Sequence, residues 1–230
     1  MSPGRLSFVY ATLVVCLLPA ALRAQATPAA SLPTPHAQVT FRFERAGLPV
    51  PRFTLDVDER GSGTYKAEEA STAAPQQVER SIALTEATSK KIFALVRGVQ
   101  LTAESCASKA KNIADTGSKT LTYASPEGIS SCTYNYTENK NVEALTTIFQ
   151  GIAETLDQGR HLDFLRRFDR LGLDDAIAVL AQEVSDGRAL ELGSIAPSLH
   201  AIADDPEVMQ RVRARAATLL AQIPTDSPSR

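Results

Sequence analysis

From Val39 to Glu44 the chain reads Val-Thr-Phe-Arg-Phe-Glu, an unbroken apolar/polar alternation with the period of a strand that buries one face. Pro49-Val50-Pro51 interrupts it, and Phe53, Leu55 and Val57 then alternate with Thr54, Asp56 and Asp58. The run from Asp58 to Gly63 is turn chemistry, and Thr64-Tyr65-Lys66-Ala67 returns as the second arm of a hairpin. A polar loop over 69–77 leads to a further strand, Val78 to Leu84. Thr85 can cap the next helix, with Glu86 in its first turn, where the helix dipole favours a negative charge. Ile92, Phe93, Val96 and Val99 supply its apolar face, and Gly98 lies near its end. Two more alternating runs follow, one through Leu121 and Tyr123, the other through Cys132, Tyr134 and Tyr136. Between them Ser125-Pro126-Glu127-Gly128 fits a type I turn, with Pro second and Gly fourth.

From Asn141 the period becomes helical. Val142, Leu145, Ile148, Phe149, Ile152 and Leu156 fall on one face, and Gly159 is expected to end the run. A second helix, His161 to Leu171, is expected to bury Leu162, Leu165 and Phe168 and to stop at Gly172. Asp174 is read as the cap of a third, in which Ile177, Leu180 and Val184 repeat before Gly187. Ser194 is read as the cap of a short helix with Ile195, Leu199 and Ile202 inward. Asp204-Asp205-Pro206 breaks that helix, and Asp205 with Pro206 opens the last one, whose seam is Val208, Val212, Ala216, Leu219 and Ile223. The pattern predicts an α+β protein: an N-terminal antiparallel sheet packed with helices over 38–140, then an all-helical portion over 141–223.

The last stretch carries one family likeness. Pro197 and Leu199, the acidic turn Asp204-Asp205, then Val212, Arg213, Ala216, Ala217 and Leu220 resemble a HEAT repeat, well over 190–223 and weakly over 160–187. That resemblance implies a helical hairpin that presents a protein-binding surface. Such repeats normally stack in arrays, since one repeat cannot bury its own face, so these helices are expected to pack on the preceding domain.

The N-terminus alters the picture of where the fold works. Arg5 precedes a continuous apolar stretch from Leu6 to Leu18, and Ala24-Gln25-Ala26 has the small-x-small form that signal peptidase reads. The apolar run is shorter than the roughly 20 residues of a bilayer span. Residues 1–26 are therefore read as a signal peptide, 27–37 as a linker and 224–230 as a disordered tail, with no membrane span. A secreted or periplasmic location follows. Val15 ahead of Cys16 departs from the small residue that a lipoprotein signal wants. The chain as a whole looks like an exported bacterial protein. Loss of Arg5 and Arg23 with the leader leaves about 22 basic against 26 acidic side chains, which argues against a nucleic-acid partner. Only Cys106 and Cys132 remain, and in an oxidising compartment they are expected to pair. Closing a loop of about 26 residues stabilises a fold by about 3.5 kcal/mol in the chain-entropy model.

Signatures of chemistry are absent from the sequence. Asp56 to Gly61 begins like a calcium loop, but Arg60 and Ala67 occupy positions that need oxygen ligands. His36, His161 and His200 lack metal-ligand spacing, so neither a metal nor a cofactor is expected. There is no Gly-x-Ser-x-Gly and no phosphate-binding glycine loop, so no catalytic residue is assigned. Asn135-Tyr136-Thr137 is formally a glycosylation sequon, expected to stay unmodified. Tyr123, Tyr134 and Tyr136, with Lys109, Lys111 and Lys119 nearby, could form an aromatic-basic binding surface, or the tyrosines could simply fill a pleated, half-buried face. Two functions stay open. One is an exported, non-enzymatic binding or protein-interaction protein, with another protein as partner through the C-terminal helices. The other is an exported hydrolase with an acidic site assembled only in three dimensions. An exposed apolar strip on the last two helices would favour the first, a pair of buried carboxylates in a cleft the second.

Overall fold

Strand β1 (Gln38–Glu44) occupies an inner position of a six-stranded sheet in the computed structural model, which describes residues 36–70 and 74–224. The expected signal peptide, most of the linker and residues 225–230 of the tail lie outside the described residues. β2 (Arg52–Asp58), β3 (Ser62–Glu69) and β4 (Gln76–Ala83) follow, then helix α1 (Glu86–Arg97) and the short α2 (Ala103–Cys106). β5 (Ser118–Ser125) and β6 (Gly128–Tyr134) complete the sheet, whose order is β4-β3-β2-β1-β5-β6 with every neighbour antiparallel. The remainder is helical: α3 (Lys140–Phe168), α4 (Leu173–Ser185), a 3-10 turn (Leu192–Ile195), α5 (Ala196–Ala203) and α6 (Gln210–Leu220). The expected α+β architecture is the one observed.

The alternation of the strands fixes which face is buried. Val39, Phe41, Leu55, Val57, Tyr65 and Leu121 turn inward, and the opposite face carries the threonines and charges. Asp58 organises the β2–β3 turn, its carboxylate accepting from the backbone N–H groups of Arg60 and Ser62, both at 2.9 Å. Thr85 caps α1 as expected, and both carboxylate oxygens of Glu191 in turn accept from its N–H and hydroxyl.

Helix α3 covers this sheet by crossing its strands. Thr146 meets the Tyr134 hydroxyl of β6 at 2.6 Å, Phe149 stacks on Phe41 of β1 with ring centroids 5.2 Å apart, and Asp157 receives the Tyr65 hydroxyl of β3 at 2.8 Å. Thr146 to Asp157 spans about 16 Å of helix, close to the roughly 19 Å of four inter-strand spacings. Alongside it, α1 buries Ile92, Phe93 and Val96, and the Asn141 side chain donates to the Gly98 carbonyl. The described residues form one compact unit with a continuous apolar core, from Val39 in β1 to Leu219 in α6.

Gly159 does not end a helix. α3 runs for 29 residues through it, so the two helices read from the sequence are one. The apolar stripe shifts at this point: Leu145, Ile152 and Leu156 face the sheet, whereas Leu162 and Leu165 lie about a third of a turn away. The glycine is there for contact, since a Cβ would lie 2.4 Å from Cγ2 of Ile195. Three expected caps are also displaced. Asp174 sits inside the first turn of α4 and pairs with Arg211 and Arg215 of α6 at 2.9 and 2.8 Å. Ser194 lies within the 3-10 turn, its hydroxyl buried without a partner, and Pro197 occupies the first turn of α5 instead. Asp205 breaks the chain after α5 as read, but its carboxylate accepts from the Glu207 N–H and meets Arg166, and α6 starts only at Gln210. In two of these cases a cation on another helix competes for the carboxylate.

The contact at Gly159 predicts the sign of a substitution. Gly159→Ala should destabilise the protein by about 1–3 kcal/mol in urea unfolding, through overpacking against Ile195. A gain of about 1 kcal/mol, as for a solvent-facing helical glycine, would contradict this packing.

Candidate functional site

A groove of about 1060 Å³ opens between α3 and one end of the sheet. Its helix wall comes from positions three or four apart, Gln150, Glu154, Asp157, His161, Phe164 and Phe168. Facing them are Phe43 and Phe53 at the ends of β1 and β2, Val78 of β4, and the β1–β2 turn Leu48-Pro49-Val50. That turn is closed by the Arg45 N–H donating to the Pro51 carbonyl and pinned to the end of β3 by the Ala70 N–H donating to Pro49, each at 2.8 Å. Gly47 supplies the positive φ of +82° on which the turn depends.

A polar cluster lies deepest. The Tyr65 hydroxyl and Nη2 of Arg160 both donate to Oδ1 of Asp157, at 2.8 and 3.2 Å, and Arg160 also pairs with Glu69. Burial pushes the Asp157 carboxyl up to about 6, with Glu154 adding to the rise and the Tyr65 hydrogen bond and Arg80 opposing it. Burial and the neighbouring Asp157 raise the Tyr65 phenol well above its usual range. Nε of Arg160 is buried without a partner. Asp157 is thus one carboxyl with a raised pKa, already engaged by a phenol and a guanidinium. The other acidic groups do not form a buried pair with it, because Glu69 is tied to Arg160 and Glu154 is exposed.

At the outer end the groove turns apolar. Phe164 and Phe168 are 56% and 73% exposed with ring centroids 5.1 Å apart, and Leu171 just beyond is 81% exposed. The expectation that Phe168 is buried therefore fails. It lies on the groove side of α3, off the line of Leu162 and Leu165 that packs against the C-terminal helices. Among the described residues, α5 and α6 carry no large exposed apolar side chain, and the exposed strip is on α3 and the turn after it.

The residues singled out from the sequence divide. Lys119, Tyr134 and Tyr136 come together around a second, smaller pocket of about 230 Å³, whereas Lys109 and Lys111 stand exposed on the preceding loop, outside its lining. The Lys119 ammonium is buried and donates to the carbonyls of Thr116, Gly117 and Asn135 at 3.0, 3.0 and 2.8 Å. Burial lowers its pKa, with Asp115 acting the other way. Tyr134 is buried with its hydroxyl on Thr146, and burial pushes it up to about 12. Tyr136 is 48% exposed, and Tyr123 is half-buried near Phe93. The Asn135 side chain donates to the Ala114 carbonyl at 2.9 Å and accepts from the Thr116 N–H at 2.7 Å, so the sequon amide is occupied in holding the loop. Cys106 and Cys132 lie at disulfide distance with Cα atoms 6.3 Å apart, a placement compatible with a bond tying α2 to β6.

Sequence reasoning missed Tyr65, Glu69, Asp157, Arg160, Phe164 and Phe168 as neighbours. The one available signal was Phe164 and Phe168 at helical spacing off the apolar seam. Among the described residues, no three His, Cys, Asp or Glu side chains gather as a metal site, and no helix is long and apolar enough to cross a membrane. No protein-family model matches the chain, and neither does any curated protein.

The Asp157 environment has a pH signature. A carboxyl whose folded pKa is raised keeps its proton longer in the native state than in the unfolded chain. Its contribution is full below the unfolded value near 4 and is lost as pH rises through 6. Asp157→Asn, compared with the native protein by melting from pH 4 to 8, should gain about 5–10 °C relative to it as pH rises. Parallel pH profiles, or a variant that loses ground at high pH, would contradict the assignment.

Proposed function

We propose that this chain is an exported, non-enzymatic protein-interaction protein, and that the groove beside α3 is its recognition surface. The exposed Phe164–Phe168 pair carries the reading, because apolar surface at the mouth of a groove is costly in water unless a partner covers it. The occupant it fits is an extended segment of a partner protein that bears apolar side chains and a basic residue. Apolar groups would enter between the two phenylalanines and Val50, and Glu154 and Asp163, neither in an ion pair among the described residues, complement the cation. The HEAT-like likeness of α5 and α6 agrees with an interaction role, with those helices acting as the support that holds the end of α3 in place. Export rests on the signal-like N-terminus and on the cysteine pair, which in an oxidising compartment forms a disulfide.

A hydrolase reading draws on one observation, the raised pKa of Asp157 inside the groove. It lacks a second buried carboxylate across the site.

Fluorescence anisotropy with labelled extended peptides, each holding two apolar residues and a flanking Lys or Arg, tests the proposal on the mature protein. Binding should weaken at least about tenfold in a Phe164→Asp, Phe168→Asp double variant, and be unchanged by Lys90→Ala on the far helix α1. Failure of every such peptide to bind, or binding indifferent to the double change, would refute the groove as the recognition surface. Hydrolysis of a panel substrate that disappears with Asp157→Asn would favour the enzyme instead.

A further inference from the structure

We infer that β6 is a self-association edge, and that two copies of this chain join through it into one continuous antiparallel sheet. This does not rest on the groove, which lies on other residues.

The hydrogen-bond alternation across the sheet decides which backbone groups of β6 are free. The Glu59 N–H donates to the Ala37 carbonyl and the Arg45 N–H to Pro51, so odd-numbered residues of β1 bond to β2. Thr40 and Arg42 consequently bond to Thr122 and Thr120 of β5, and Lys119, Leu121 and Tyr123 bond to Tyr134, Cys132 and Ser130 of β6. The N–H and C=O groups of Ile129, Ser131 and Thr133 therefore point away from the sheet. Among the described residues nothing hydrogen-bonds to them.

Edge strands are normally guarded by charge, proline or a bulge. From Gly128 to Tyr134 there is no charged residue and no proline, and the pairing with β5 is regular throughout. Ile129 is 78% exposed, an apolar β-branched side chain on the solvent face of an open edge. The neighbouring positions on that face are the hydroxyl pairs Thr122–Ser131 and Thr120–Thr133, at 2.8 and 2.9 Å. This half of the face is uncharged and has no local reason to repel a copy of itself.

The strand is also self-complementary. A two-fold axis perpendicular to the sheet through Ser131 sets Ser131 opposite its own copy and Ile129 opposite Thr133 of the second chain, twice. All three residues have outward backbone groups, so the register supplies ladder hydrogen bonds together with favourable β-branched cross-strand pairs. The other edge, β4, does not offer this. An axis through Glu79 or Arg80 at its centre puts like charges opposite one another, which is how edges are kept apart.

Sedimentation velocity on the mature protein over about 1–200 μM should show a concentration-dependent monomer–dimer equilibrium. Ile129→Glu with Thr133→Glu places Glu opposite Glu at both ends of the inferred register, and should weaken the dimer at least about tenfold. Ile129→Lys with Thr133→Glu places Lys opposite Glu instead and should restore it. Both positions face solvent, so far-ultraviolet circular dichroism should be the same for all three proteins. A monomer across the whole range, or a dimer that both double variants affect equally, would overturn the inference. In the monomer case the edge is left for a strand of a different protein.

Discussion

One helix has to satisfy two cores. α3 is about 43 Å long, and a six-stranded sheet is about 24 Å across its strands, so a helix laid across that sheet must overhang it. Up to Asp157 the sheet takes the apolar stripe, with Phe149 stacked on Phe41 as its centre. Beyond that point the sheet has run out, and α3 packs against α4, the 3-10 turn and α5, with Leu162 and Leu165 buried. Gly159 sits where the change occurs and lets Ile195 approach the helix backbone. The C-terminal helices complete the burial of α3 and so close the core that the sheet begins.

The groove follows from the same mismatch. The sheet and the C-terminal helices cover two sides of α3, leaving a third side on which Asp157, Phe164 and Phe168 lie in line. The polar end of that line is tied into the fold by Tyr65, Arg160 and Glu69, and the aromatic end is left in water. A wall held in place in this way has little ordering left to lose, which suits it to the proposed recognition of an extended segment. The Lys119 cluster is the contrasting case: its ammonium meets three carbonyls, so its charge organises a loop and offers little to a ligand.

Much of the fold was legible because strands with one buried face betray themselves by period. The four N-terminal strands, Thr85 as a cap, the Pro126 turn and the closeness of Cys106 to Cys132 could each be read from local pattern and compartment. The sequence suggests a helix end at Gly159 because a stripe that changes phase and a helix that ends look alike in one dimension. Asp174 and Asp205 look like caps in the sequence because their cationic partners, Arg211, Arg215 and Arg166, lie tens of residues away. Tyr65 and Asp157, 92 positions apart, carry no mutual signal in sequence at all. Sites assembled by tertiary contact between distant elements are the part of a structure that local periodicity leaves unread.

The dependence of the whole structure on α3 can be measured by native-state hydrogen exchange in increasing denaturant on the mature protein. If sheet, α3 and C-terminal helices share one core, the slowest amides of β5 near Leu121, of α3 near Ile152 and of α6 near Ala216 should converge on a single opening free energy with a single denaturant dependence. α6 amides that open through a separate, cheaper event, while those of β5 and α3 keep full protection, would contradict it.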